Sequence, residues 1–550
     1  MPGQVSEGKE GSSAKGAVLV AAGIFLSRIF GLVRERVFAH YLGNSVAAAA
    51  FKAGLRIPNL LQNLFGEGVL SASFIPAYAR LLGQGKKEEA ERLAGAVLSL
   101  LGLAVAVVVV PGVLYAEQLV DWVAPGFEGE GRRLAAEVVA ILFPATGLLV
   151  ISAWCLGVLN SHRRFFLSYA APVIWSSTII LALVYGRDQD LPTLAHYAAW
   201  GTLAGSLLQV LVQLPAVLGL LGRLRPNLAI TADVKQVLHN FGPVVLGRGV
   251  VQLSAFIDTA FASLIAERAL SALTYAQTLY LLPVSLFGMS VSAAELPEMA
   301  QVQGAADEVA AKLRGRIEAG LSRISFFVVP SAVAMITFGD LLGGALFQTG
   351  RFSAGDARFL WYILIGAGLG LLASTSGRLY ASAFYAQRDT RTPLRIAMVR
   401  VVLTATLGYA ASLWLPGLLG LPIHLGAVGI TGVSSLAAVV ELWYLRSRLE
   451  QRFGRARLPK GRLLTLYGAA FAGAALGLVI KWVLTQILGV DHAAAEEWGG
   501  SFFPPPALHP IFATLLVVGP FGLCYLALTW WWEVPLARSL GSRISARIIR

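Results

Sequence analysis

The chain has 550 residues, of which 56% are hydrophobic and 14% are charged, and its mean hydropathy is +0.68. Its formal net charge is +13. This composition excludes a soluble globular protein, and the alternating ten-residue pattern of an outer-membrane barrel is absent from the sequence. We therefore predict an all-α polytopic membrane protein.

Apolar runs of spanning length recur along the whole chain, and each is long enough to cross a bilayer as a helix. They predict fourteen transmembrane helices, at residues 16–41, 47–79, 93–115, 135–159, 165–185, 193–222, 241–265, 269–299, 324–347, 359–386, 396–415, 425–445, 463–488 and 511–534.

The distribution of cations between these helices predicts the topology. Connections on the side of the N-terminus carry most of the lysines and arginines. The opposite connections carry only Arg132, Arg133, Arg187, Arg268, Arg351 and Arg358. Because positive residues stay on the cytoplasmic side, both termini are expected in the cytoplasm. We assign the basic tails to topology and to contact with anionic lipid rather than to nucleic-acid binding.

An internal repeat indicates how the helices are grouped. LFGEGVLSASFIPAYA begins at Leu64 and LFGMSVSAAELPEMA begins at Leu286, six predicted spans later. An even number of intervening spans gives both copies the same orientation, which predicts two six-helix lobes with a central cavity plus two C-terminal helices. The predicted domains are a cytoplasmic N-terminal tail (1–15), an N-terminal lobe (16–222), a C-terminal lobe (223–445), a helix pair with its basic cytoplasmic linker (446–534) and a basic cytoplasmic tail (535–550).

Charged residues in the first two spans predict the binding site, because a charge at membrane depth is costly and usually faces a cavity or a protein interior. The first span holds Arg28, Arg34, Glu35 and Arg36. Glu35 can pair with one arginine, which leaves an excess of positive charge. Arginine donates two parallel hydrogen bonds to phosphate oxygens, so the pattern favours a polyanion such as a pyrophosphate.

The second span carries a polar stripe with helical spacing. Its members are Lys52, Arg56, Asn59, Asn63 and Glu67, with Gln62 on the flank. Pro58 removes a backbone donor within this span and should bend or break the helix. The stripe is typical of a cavity lining that can move; the alternative is a polar seam buried between helices without a ligand.

Polar residues in later spans leave two interpretations open. Hydroxyls and a carboxylate on the eighth span form either the opposite cavity wall or interhelical packing contacts; they are Ser271, Thr274, Thr278, Ser285, Ser292 and Glu295. Asp258 in the seventh span either binds a coupling cation or neutralises Arg248. Lys481 is near a span end, where its charge can snorkel to the membrane surface.

Signals for an enzyme are poor. The seven histidines have no metal-ligand spacing, and no phosphate-binding glycine loop occurs. We therefore expect no catalytic residue, no metal site and no cofactor. Transport would be driven by a coupling cation (Na⁺ or H⁺), by the membrane potential or by the substrate gradient.

Four segments together resemble the MurJ/MviN family of lipid II flippases, in the multidrug/oligosaccharidyl-lipid/polysaccharide exporter superfamily. The segments are SRIFGLVRERVFAHYLG, RIPNLLQNLFGEGVLSASFIPAYARLL, LFQTGRFSAGDA and YAQRDTRTPLRIA. The resemblance covers about the first twelve spans. It implies transfer of an undecaprenyl-pyrophosphate-linked peptidoglycan precursor, lipid II, to the outer leaflet of the bacterial cytoplasmic (inner) membrane. It also implies a groove for the lipid tail along the last two spans, and cell-wall synthesis proteins as candidate partners.

The resemblance also assigns individual residues. The family's cavity arginines match Arg28 and Arg34, its following acid matches Glu35, and its hydroxyl on the eighth span matches Ser271. Three charges common in the family are missing, where this chain has Ala49, Gln62 and Thr278. Lys52 and Arg56 are expected to compensate for them.

The resulting hypothesis is a lipid II flippase that works by alternating access. Its pyrophosphate ligands would be Arg28, Arg34, Lys52 and Arg56, and its sugar or peptide contacts Asn59, Gln62 and Asn63. The alternatives are a flippase for another polyprenyl-linked oligosaccharide, an ion-coupled exporter of the same fold, a membrane-embedded glycosyltransferase or ligase, and a scaffold in a cell-wall complex.

Overall fold

The computed structural model describes residues 7–222, 224–456, 460–489 and 507–539, and these residues fold almost entirely into helices. The predicted all-α fold is confirmed. The chain divides into two compact units, Met1–Arg268 and Ala269–Arg550. The lobe boundary expected at 222/223 stays a prediction, as do the predicted tails, which fall partly outside the described residues.

Ten helices make up the first unit. They are α1 (Glu7–Leu42), α2 (Val46–Gly54), α3 (Arg56–Phe65), α4 (Glu67–Gly83), α5 (Lys87–Leu114), α6 (Ala116–Val123), α7 (Gly129–Ser161), α8 (Phe165–Tyr185), α9 (Leu191–Leu221) and α10 (Ala232–Ile265).

The second unit continues with α11, which begins just before the boundary. Its helices are α11 (Glu267–Pro283), α12 (Ser290–Ala300), α13 (Ala306–Phe347), α14 (Ala354–Leu369), α15 (Leu371–Ala386), α16 (Arg391–Tyr409), α17 (Leu415–Leu418), α18 (Gly426–Phe453), α19 (Lys460–Leu488) and α20 (Pro510–Trp531). Two π-helical segments, Val284–Met289 and Ala410–Trp414, interrupt the series.

Every predicted span falls on helical residues, but the count of fourteen is not confirmed. Within the described residues, ten helices are long and apolar enough to cross a membrane, or eleven if the bent pair α14–α15 is one span. The other predicted spans are α1, the segment α2–α4 and α10. Parts of α1 and α10 have side chains outside the described residues, and the breaks at Leu55 and Gly66 divide the segment α2–α4 into three helices that are each shorter than 18 residues.

The second predicted span is broken twice, and the first break is the one that Pro58 predicts. Proline has no N–H to donate to the carbonyl of Gly54 four residues earlier, and the helix breaks at Leu55. The second break is at Gly66, whose backbone is extended and where a Cβ atom would lie 2.1 Å from the carbonyl oxygen of Gln62. The prediction that Lys52 to Glu67 share one continuous helix face is therefore wrong, because these residues lie on three helices.

Both copies of the internal repeat mark an irregular helix. In the first copy, Gly66 separates α3 from α4. In the second, Leu286 and Gly288 lie in the π-helical segment between α11 and α12, and a Cβ atom at Gly288 would lie 2.3 Å from the Cγ2 atom of Thr375. Glycine is required at both points because a neighbouring group occupies the place of a side chain.

The core of the first unit surrounds α7, which packs against α4, α5 and α9. Trp154 is completely buried there and donates its indole N–H to the carbonyl oxygen of Ala94 at 3.2 Å. A polar contact joins α7 to α9, since Ser152 donates to Gln213 at 2.7 Å and accepts from Gln209 at 2.8 Å. These interhelical hydrogen bonds help to fix the helices that carry the candidate site.

The core of the second unit includes the last two helices, because α19 and α20 both pack against α13. The hydroxyl of Tyr525 on α20 donates to the carbonyl oxygen of Phe326 on α13 at 2.6 Å. The ring of Phe521 lies 5.7 Å from that of Phe338, where α13 is kinked. The final pair of helices is thus an integral part of this unit.

Candidate functional site

Three charged side chains of the first unit meet in one ionic cluster. Glu35 on α1 accepts from the guanidinium of Arg34 at 2.9 Å through one oxygen and from the ammonium of Lys52 on α2 at 2.6 Å through the other. The exposed fractions of these side chains are 20% for Arg34, 12% for Glu35 and 6% for Lys52. We call Arg34, Glu35 and Lys52 the first-unit cluster.

Aromatic rings form the walls of the first-unit cluster. The guanidinium carbon of Arg34 lies 4.6 Å from the ring centroid of Trp175 on α8, which packs along α1. The ammonium of Lys52 lies 4.2 Å from the ring centroid of Phe38. A ring face attracts a cation without neutralising it, so the rings hold both cations in place while their charge is kept.

The charges of this cluster do not cancel. One carboxylate serves two cations, which leaves a net charge of +1 in a half-buried position. Charge-assisted bonds from arginine and lysine to phosphate oxygens are strong, and a low dielectric strengthens them further. The arrangement can therefore bind an anionic group that competes with Glu35 for its two cations.

A second pair of opposite charges lies nearby in the same unit. Arg56 begins α3, and its guanidinium interacts electrostatically with Asp258 on α10, which packs against α3 and α4. This partner of Asp258 differs from Arg248, the one expected from the sequence. The other candidate, Arg248, has a side chain outside the described part of the structure, so the role of Asp258 in ion coupling stays a prediction.

The remaining predicted site residues are more dispersed. Arg28 is exposed on α1, Asn59 and Asn63 are exposed on α3, and Gln62 is half-buried. Ser271 is completely buried in α11 of the second unit. The structure thus brings together Arg34, Glu35 and Lys52, and pairs Arg56 with Asp258. The side chain of Glu67 lies outside the described residues.

The positions that lack the family's charges have simple surroundings. Ala49 is completely buried in α2, whose alanines pack closely against α7 and α9. The hydroxyl of Thr278 donates to the carbonyl oxygen of Thr274 at 3.1 Å, and Thr274 in turn donates to Leu270 at 2.9 Å. These two hydroxyls bond within their own helix, so they favour neither the cavity wall nor the interhelical contacts expected for the eighth span.

Sequence reasoning missed two features of the site. The partnership of Lys52 with Glu35 depends on how α2 returns beside α1, and the ring of Trp175 comes from a helix more than a hundred residues away. No local pattern reports either contact. Within the described residues, no group of three or more histidine, cysteine, aspartate or glutamate side chains is arranged to hold a metal ion.

Comparisons with known proteins agree on one family. Residues 38–507 match the family model described as lipid II flippase MurJ. A probable lipid II flippase MurJ from Rhizobium meliloti is 30% identical over 473 residues, which cover 83% of this chain and 85% of that protein. The lipid II flippase MurJ of Burkholderia cenocepacia is 32% identical over 402 residues, which cover 72% of this chain and 77% of that protein.

Solved structures show the same fold. A structure described as lipid II flippase MurJ in an inward closed conformation superposes with a TM-score of 0.75 at 21% identity, covering 94% of this chain and 99% of that one. An inward-facing multidrug resistance MATE family transporter superposes with a TM-score of 0.60 at 17% identity, covering 79% and 98%. At these identities the superpositions describe architecture alone.

Proposed function

Because the chain belongs to the lipid II flippase MurJ family, we propose that it moves undecaprenyl-pyrophosphate-linked peptidoglycan precursor, lipid II, across the cytoplasmic membrane. It carries the precursor from the inner to the outer leaflet by alternating access. The substrate is amphipathic: its polyprenyl tail stays in lipid, while its pyrophosphate and sugars need a polar path.

The observation that supports this function most directly is the first-unit cluster. Two cations at membrane depth share one carboxylate and keep a net positive charge. Such a charge is expensive unless a ligand or water compensates it, and intramembrane ionisable groups usually mark a substrate path. A pyrophosphate supplies the missing negative charge and several acceptor oxygens.

In the proposed mechanism, Glu35 acts as an internal counter-ion for the empty site. It holds Arg34 and Lys52 until a pyrophosphate arrives and replaces its oxygens on the cations. Arg34 is the more exposed of the two, so it would meet the substrate first, while the deeper Lys52 would complete the binding. Return of Glu35 to both cations then helps to release the substrate on the other side, because binding must be reversible for transport.

The other predicted residues have supporting roles in this proposal. Arg28 and Arg56 add positive charge for the pyrophosphate, and the polar side chains that contact sugar or peptide are Asn59, Gln62, Asn63 and Ser271. Asp258 is the candidate for coupling to Na⁺ or H⁺, and the membrane potential is the alternative driving force. Both termini would be cytoplasmic, and cell-wall synthesis proteins are the expected partners.

The test is growth of a bacterium whose own lipid II flippase is depleted. The wild-type chain should restore growth, and Arg34→Ala should fail at equal membrane levels because it removes the accessible cation of the first-unit cluster. Arg92→Ala is the matched control, since Arg92 is exposed and pairs with Glu88 one turn earlier on the same helix. Growth with Arg34→Ala would contradict the assigned role of the cluster.

A different polyprenyl-linked oligosaccharide is the second candidate substrate, favoured by the absence of the family's charges at Ala49, Gln62 and Thr278. Binding of lipid II and of other polyprenyl pyrophosphates to the purified chain separates the two. Failure to restore growth, combined with tight binding of another polyprenyl pyrophosphate, would support this candidate and reject lipid II.

A further inference from the structure

An arginine of the second unit is buried where the sequence predicts exposure. Arg358 was assigned to an outer connection, but α14 begins at Ala354 and places Arg358 inside the helix, where it is only 2% exposed. The early start has a local cause: Ser353 and Asp356 form a capping box with hydrogen bonds in both directions. Neither terminal nitrogen of Arg358 has a hydrogen-bond partner in the described part of the chain.

A buried ion pair lies beside this arginine. The ammonium of Lys481 on α19 donates to Oδ2 of Asp340 on α13 at 2.6 Å, and their side chains are 1% and 6% exposed. The prediction that Lys481 snorkels is therefore wrong, because a carboxylate partner keeps it inside the unit. The other carboxylate oxygen of Asp340 has no hydrogen-bond partner among the described residues. We call Asp340, Arg358 and Lys481 the second-unit cluster.

Asp340 and Arg358 line the same small cavity. It leaves about 20 Å³ for the centre of a water-sized occupant, and its walls also include Gln348, Pro510 and Ala513. A single water needs about 10–15 Å³ by this measure, so the cavity accepts one small occupant. Tetrahedral oxyanions such as sulfate and phosphate are too large.

The charges around this cavity favour an anion. Lys481 and Asp340 neutralise each other, whereas Arg358 cannot lose its proton and remains a buried positive charge. The N-terminal end of α20 adds positive potential, since Pro510 begins that helix and lines the cavity, whereas the carboxylate of Asp356 already compensates the N-terminus of α14. A water molecule would satisfy hydrogen bonds but would leave the net charge of +1 uncompensated.

We propose that this cavity is a binding site for one small monovalent anion of chloride size. Arg358 donates hydrogen bonds to the anion, and the N-terminal end of α20 supplies further attraction. Occupancy neutralises the second-unit cluster and so ties α20 to α13 and α14. The site lies within one unit and is independent of the function proposed above.

Thermal unfolding of the purified full-length chain in different salts of equal ionic strength tests this site. Chloride and bromide should raise Tm relative to gluconate, with a saturating dependence and a rise on the order of 2–4 °C. Sulfate does not serve as a reference salt, because its exclusion from protein surfaces raises Tm without any binding site. Arg358→Gln should abolish the difference between the salts. Arg351→Gln is the matched control because Arg351 is an exposed arginine of the same segment, and it should keep the full chloride response.

Bromide in crystals of the wild-type chain gives a second test that needs no variant. Anomalous scattering should place one bromide within hydrogen-bond distance of the Arg358 guanidinium. Equal Tm values in chloride, bromide and gluconate, loss of the response in Arg351→Gln, or a water in place of bromide would each overturn the proposal. If Arg358→Gln does not fold, the bromide position decides alone.

Discussion

Each unit buries a carboxylate together with a lysine and an arginine, but the two clusters are built differently. In the first-unit cluster, both cations contact the carboxylate and the arginine keeps a fifth of its surface exposed. In the second-unit cluster, only the lysine contacts the carboxylate, and all three residues are less than a tenth exposed. Both clusters carry a net charge of +1, but they differ in their exposure to solvent and in which cations contact the carboxylate.

This difference teaches how one set of charges can serve two purposes. An accessible cluster whose carboxylate serves two cations can exchange that carboxylate for a ligand at little cost. A closed cluster has no such exchange, so its charges act on stability and on a resident ion. Transport should therefore depend on the first cluster and unfolding on the second.

The largest expected effect is on stability, from Lys481→Met. This change leaves the buried carboxylate of Asp340 without its partner, which typically costs about 3–5 kcal/mol. Thermal unfolding of the purified variant measures the loss, and Lys235→Met on an exposed helix face is the control. The double variant Lys481→Met/Asp340→Leu should recover most of it, because apolar side chains need no partner. If Lys481→Met were as stable as the wild type, water would have to reach the carboxylate of Asp340.

Substitution of Arg34 should instead act on transport. Losing a charge-assisted contact worth about 2–3 kcal/mol would slow transport by roughly 30- to 150-fold in Arg34→Ala. Arg34→Lys should lose less, about 10-fold, because it keeps the charge but loses the planar fork that stacks on Trp175. Transport of lipid II in vesicles gives these rates. A loss of stability as large as that of Lys481→Met would erase the distinction between the clusters.

Glu35→Gln probes the internal counter-ion directly. Without the competing carboxylate, the affinity for a polyprenyl pyrophosphate should rise by about 5- to 10-fold, in line with a weak local charge effect of ~1 kcal/mol. Transport should fall at the same time because release becomes slower. Binding and transport are measured on one preparation, with Glu88→Gln as the exposed control. Weaker binding in Glu35→Gln would mean that Glu35 orients the cations rather than competing for them.

The smallest effect concerns a carboxylate in the connection before α16, which lies outside both clusters and whose side chain is 17% exposed. Asp389 precedes α16 and accepts from the backbone N–H of Thr392 at 3.0 Å and from Arg452 at 2.7 Å. The N–H of Thr392 is the main cause that lowers the pKa of Asp389 below its usual range, and its hydroxyl and Arg452 lower it further. Ionised Asp389 therefore stabilises the fold above about pH 4, and this contribution disappears as the pH falls through the lowered pKa.

Asp389→Asn should then cost about 1 kcal/mol at neutral pH, and the difference from the wild type should vanish in acid. Unfolding measured between pH 7 and the acid limit of the native protein gives the curve. Asp188→Asn, in an exposed connection, should show no such dependence. If Asp389→Asn stays less stable than the wild type in acid, the substitution acts through the shape of the amide group and not through the loss of charge.

Much of the fold was predictable because the length of each apolar run can be read directly from the sequence. Every predicted span falls on helices, and Pro58 predicted a break in the second span. The position of Arg358 was readable too, since Ser353 and Asp356 have the spacing of a capping box, but the apolar run alone placed the helix start too late.

The partners within the clusters were not predictable. Lys481 and Asp340 are 141 residues apart, and Lys52 and Glu35 are 17 apart on different helices. Such pairs form only when helices pack, and a sequence pattern reports which residues share a face but not what that face meets. This is why a charged residue at a span end was mistaken for one that reaches the membrane surface.

The two breaks around α3 have a consequence for hydration. Pro58 leaves the carbonyl of Gly54 without its usual helical donor. Gly66 interrupts the helical backbone hydrogen bonds a second time, eleven residues after Leu55. Irregular backbone at membrane depth persists only where protein covers it or water reaches it, and the exposed Asn59 and Asn63 favour water. The amide protons of α3 should therefore exchange with deuterated solvent within seconds to minutes, while those of α7 stay protected for hours.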